Sequence, residues 1–94
     1  MYIKKIVQKI ENTALALYQN KEQEGFEGVA ELLLIFQEII RNMTKQQKIC
    51  SEKFALLMLK ELLENYNAQD VIGMADCLMI KANLFVEFMI ESEE

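Results

Sequence analysis

The stretch "GMADCLMIKANLFVEFMI", residues 73–90, carries only Asp76, Lys81, Asn83 and Glu87 as clearly polar side chains. On a helical wheel at about 100° per residue, Val71, Ala75, Leu78, Ala82, Phe85 and Met89 fall on one stripe. Met79 and Val86 widen that stripe on one side, Met74 and Phe88 on the other. The unambiguously polar strip is narrow: Asp76, Asn83 and Glu87. Cys77, Leu84 and Phe88 form a further apolar line, interrupted by Lys81. The spacing predicts a helix over about 68–91 that is apolar nearly all round, and such a helix is normally buried nearly all round. Upstream, "NAQD" at 67–70 reads as its N-terminus, with Asn67 as N-cap and Asp70 in the first turn, where the helix dipole favours an acid.

Three more helical stripes precede it. "TKQQ" at 44–47 is a capping box, with Thr44 as N-cap and Gln47 reaching back to the Thr44 backbone. It opens a helix over about 45–65 with core positions Ala55, Leu59, Leu62 and Tyr66, broadened by Met58 and Leu63. Cys50, Phe54 and Leu57 form a second line beside Lys53, Lys60, Glu61 and Glu64. Residues 26–42 carry Phe26, Val29, Leu33, Phe36, Ile40 and Met43, widened by Leu32 and Ile39, while Leu34 and Ile35 fall outside that stripe. Residues 2–23 carry Ile3, Val7, Ile10, Ala14 and Leu17, flanked by Ile6 and Tyr18, and Gly25 is placed as the residue that ends this helix. The tail at 91–94 reads as solvated.

The rest of the composition agrees. Ninety-four residues suit one domain, residues 1–94, able to bury roughly 60–65% of its unfolded surface. Proline is absent and only three glycines occur, so turn punctuation is sparse and the elements are long. Links of two to four residues favour antiparallel neighbours. The expected fold is all-α, an antiparallel four-helix bundle. Two variants share the pattern: helices two and three could merge, or hairpins from two chains could complete the bundle.

A net charge of −5 argues against a nucleic-acid partner, which would need clustered Lys and Arg. The longest unbroken apolar run is "LLLIF" at 32–36, far short of the roughly 18 residues of a membrane span. The N-terminus lacks a secretory h-region and cleavage site. Lys4, Lys5 and Lys9 beside Ile3, Ile6 and Ile10 make only a short basic amphipathic face. The expectation is a cytoplasmic protein without membrane association, with Cys50 and Cys77 as reduced thiols.

Histidine is absent, which removes the commonest general base and metal ligand. There is no phosphate-binding loop and no nucleophile elbow. Asp76, Asn83 and Glu87 share a strip but read as a solvated face. No catalytic residue, metal site or cofactor is expected. An enzyme would have to use Cys50 near Lys53, or Cys77 near Lys81.

The apolar residues in excess of one core are therefore the functional signal. Leu34, Ile35, Phe54, Leu57, Cys77, Leu84 and Phe88 are the candidate interface residues. They suit a homodimer through the fourth helix, or a groove for an amphipathic helix of another protein. Met74, Met79 and Met89 suit an adaptable surface. The expected function is a small adaptor or chaperone-like binder, with a purely structural homo-oligomer as the alternative.

The segment "DVIGMADCLMIKANLFVEF" (70–88) resembles small helical Firmicutes proteins associated with motility genes, through the step formed by Ala75, Asp76 and Leu78. It departs from their pattern at Met79 and Lys81, where they carry acids, and near Leu84, where they carry a proline. No carboxylate cluster is therefore carried over. In size, acidity and helicity the chain is also similar to flagellar-export chaperones, which hold substrates on helical surfaces.

Overall fold

In the computed structural model, which describes the backbone of residues 2–93 and the side chains of residues 3–89, four helices form an antiparallel bundle. Helix α1 spans Tyr2–Tyr18, α2 Glu22–Arg41 and α3 Lys45–Asn67. The fourth, α4, is continuous but of three parts: α-helical over Val71–Asp76, π-helical over Cys77–Ala82 and α-helical again over Asn83–Glu93. No strand occurs among the described residues. Each helix packs on its neighbours in sequence, and α4 closes the ring against α1. Helices two and three do not merge, because Asn42–Thr44 separates them.

The helix ends are set by local chemistry. At the end of α1, Asn20 takes a left-handed φ of 61°. The Lys21 N–H donates to Ala16 O at 2.9 Å and the Asn20 N–H to Leu17 O at 3.2 Å. That is a Schellman closure. The same motif ends α3, with Gln69 at φ 56°, Asp70 N–H on Asn65 O and Gln69 N–H on Tyr66 O. The capping box at the start of α3 forms as expected: Gln47 N–H donates to Thr44 Oγ1 at 3.1 Å, and Thr44 N–H to Gln47 Oε1 at 2.9 Å.

Two boundaries differ from the sequence expectation. Helix α1 ends at Tyr18, not at 23, and Gly25 lies inside α2. Gly25 and Gly28 serve close packing rather than a turn. A Cβ at Gly25 would stand 2.8 Å from Leu17 Cγ, and one at Gly28 2.7 Å from Thr13 Cγ2. The cap of α4 is Asp70, whose carboxylate accepts the Gly73 N–H at 2.9 Å, while Asn67 is the last residue of α3. Asn67 cannot cap α4 because the chain must first turn through left-handed Gln69.

The core is continuous from end to end. Ile6, Ile10 and Leu17 of α1 meet Val29, Leu32 and Phe36 of α2, Met58 and Leu62 of α3, and Met74, Leu78 and Phe85 of α4. Phe36 and Phe85 meet edge-to-face across the bundle diagonal, with ring centroids 5.9 Å apart. Phe26–Tyr66 and Phe54–Phe88 make similar pairs between α2 and α3 and between α3 and α4. Each such pair adds about 0.5–1.5 kcal/mol beyond its buried area. No buried side-chain N or O lacks a hydrogen-bond partner among the described residues.

The π-helical part explains how α4 can be apolar on so many sides. Met74, Leu78, Ala82 and Val86 are all buried, four residues apart at each step. In a regular α-helix each four-residue step overshoots a full turn by about 40°, so the last of these would be carried away from the core. A π turn holds more residues per rotation and takes up the excess. Its i→i+5 bonding shows where the Asn83 N–H meets Leu78 O.

Candidate surface for association

The π turn has an outward counterpart. Ile72, Asp76, Ile80 and Leu84 also follow one another at four-residue steps, and all four are exposed. Ile80 is 66% exposed and Ile72 54%. With the rotational drift cancelled, they make a nearly straight line along α4 instead of a spiral. Exposed Met79 lies beside it. The line faces the α1 side of the bundle: Tyr18 of α1 donates its hydroxyl to Asp76 Oδ1 at 2.6 Å. Leu15, one turn before Tyr18, is likewise exposed. Donation to Asp76, then burial, then the carboxylate charge raise the Tyr18 hydroxyl above its ordinary pKa of 10.0.

The other side of α4 is turned toward α3 and is bridged to it by side chains. Lys81 pairs with Glu61, and that hydrogen bond raises the ammonium above its ordinary value. Phe88 packs edge-on against Phe54. Cys77 is 2% exposed, with its sulfur 3.9 Å from Met58 O. Burial first, then the nearby Glu61 carboxylate, push its thiol up to about 12. A thiol so placed is not a nucleophile at neutral pH.

The seven interface candidates therefore divide. Leu34, Leu57 and Leu84 are exposed. Ile35, Phe54 and Phe88 are half-buried, with Ile35 and Phe54 packed on the core. Cys77 lies inside, so its assignment to an interface is corrected. Its sulfur is buried against Met58 of α3, while Met79, expected to broaden the core, turns out to solvent. Leu63 is also exposed rather than core.

Sequence reasoning missed Ile72 and Ile80 because a regular wheel hides a line of four-residue steps. It also missed Ile49, Leu56 and Leu63 on α3, which are 79%, 50% and 43% exposed. Their seven-residue spacing was the available signal. Each precedes by three residues a position on the α2-facing flank of α3, marked by Tyr66 against Phe26. This second line thus lies on the α2–α3 side of the bundle, opposite the α1–α4 side.

The grooves are open and polar or mixed. One of about 470 Å³ between α1 and α2 is lined by residues such as Lys5, Asn12, Glu24 and Glu27. Another of about 360 Å³ lies over Phe54, Leu57 and the Glu61–Lys81 pair. Among the described residues no cluster of His, Cys, Asp or Glu could hold a metal ion. No described helix is long and apolar enough to cross a membrane. No family model, curated protein or solved structure matches the chain.

Proposed function

We propose that this protein is a non-enzymatic interaction module that associates with further copies of itself through the outer face of α4, in the manner of a small helical adaptor. The observation that carries the reading is the straight apolar line of Ile72, Ile80 and Leu84, with Met79 beside it. Four large apolar side chains on one face exceed the scattered single residues that any surface shows. The π turn that aligns them is a feature frequent at functional positions. A chain without histidine, whose buried cysteine holds its proton, offers little for catalysis.

The test is absolute mass by light scattering for wild type and for Ile80→Glu with Leu84→Glu. Both positions are exposed, so the double variant keeps the wild-type helical signal and melts cooperatively. The reading requires assembly in wild type and its loss in the variant. Unchanged assembly in the variant would remove the α4 face from consideration.

A further inference from the structure

The two exposed apolar lines lie on opposite sides of the bundle and differ in charge. Around Ile49, Leu56 and Leu63 on α3 stand exposed Lys45, Lys53 and Lys60, set against exposed Glu64 and half-buried Glu52. None of these three lysines has an ion pair within the described residues. Around Ile72, Ile80 and Leu84 on α4 stand exposed Asp76 and Glu87, with Glu11 of α1 set against Lys4 on the neighbouring helix. One face is apolar with a basic margin, the other apolar with an acidic margin.

We infer that the occupant of the acidic α4 face is the basic α3 face of a second copy, so that the bundles join head to tail. This rests on the proposed self-association and names the partner surface. Two like α4 faces would bring Asp76 and Glu87 toward their own counterparts, which costs energy as the interface desolvates. Two like α3 faces would do the same with Lys53 and Lys60. The unlike pairing matches apolar line to apolar line and acid to lysine. Because the faces lie on opposite sides, each copy keeps one of each free. A heterologous contact of this kind closes into a ring or continues as an open chain.

Complementation tests it. Leu56→Glu spoils only the α3 face and Ile80→Glu only the α4 face, and both residues are exposed. Each variant alone should be monomeric by light scattering. An equimolar mixture should form a one-to-one dimer, joining the intact α4 face of the first to the intact α3 face of the second. Lys53→Glu with Lys60→Glu should weaken wild-type assembly by about tenfold or more through reversed charge, and added salt should weaken it in wild type too. If Ile80→Glu is monomeric while Leu56→Glu still dimerises, the contact is between two α4 faces. That outcome overturns the head-to-tail pairing but leaves the α4 reading standing. A mixture that stays monomeric also overturns the pairing. If Ile80→Glu assembles like wild type, or wild type does not assemble, the α4 reading itself fails and the inference falls with it.

Discussion

At the scale of single residues, burial decides chemistry more than residue type does. Cys50 is exposed and Cys77 buried, so the two thiols should separate completely in reactivity. Titration of the folded protein with a thiol reagent at neutral pH should label one equivalent, at Cys50, and a second only on unfolding. Rapid labelling of both would contradict the packing of α4. The raised thiol also sets a pH dependence. The unfolded thiol titrates near its ordinary 9.0 and the folded one at about 12. Its contribution is thus fully present below pH 9.0 and is lost as the pH climbs toward about 12. Tyr18 and Lys81, both also raised, act in the same direction. Thermal midpoints should fall through this window, and less steeply in Cys77→Ala. Gly28 makes a second residue-scale case. A methyl there meets the stiff β-branched Thr13 side chain, a clash worth about 1–3 kcal/mol. The gain in helix propensity returns at most about 1 kcal/mol. Gly28→Ala should therefore lower stability by up to about 2 kcal/mol net in chemical denaturation.

At the scale of elements, α4 is where the sequence was hardest to read. The capping box at Thr44 and the stripes of α1 and α2 were legible because regular helices obey the wheel. The bundle followed from four such stripes and three short links. The end of α1 was missed because Asn20, not glycine, takes the left-handed position, as Gln69 does after α3. Cys77 and Met79 were misplaced, and Ile80 was missed, for a different reason. A π turn is chosen by the tertiary fit of Met74, Leu78, Ala82 and Val86, and no local motif announces it. It behaves as one extra residue in the helix, which gives a direct prediction. Deleting Ile80 should let α4 become regular, with the buried steps reset to four, three and four, and the protein should keep its helicity and a cooperative melt. Deleting Leu57 from regular α3 should instead rotate the rest of that helix by about 100° and abolish cooperative unfolding. Equal loss in both variants would contradict the account of the π turn.

At the scale of the molecule, the surplus of apolar side chains seen in the sequence is real but differently distributed. Leu34, Leu57 and Leu84 were found on the surface as expected. Phe54 and Phe88 satisfy each other, and Cys77 satisfies the core. Beside Leu34 and Leu57, which stand outside them, two apolar lines lie on opposite sides of the bundle, one on α4 and one on α3. The wheel could show that some residues exceeded one core. Only the assembled bundle shows which sides they share. The measurement that tests the central claim most directly is the absolute mass of wild type and of Ile80→Glu with Leu84→Glu, by light scattering across a wide dilution series. The account predicts wild-type particles heavier than one chain that dissociate on dilution, and a folded variant at the mass of a single chain throughout. Equal masses for the two proteins at every concentration would contradict it.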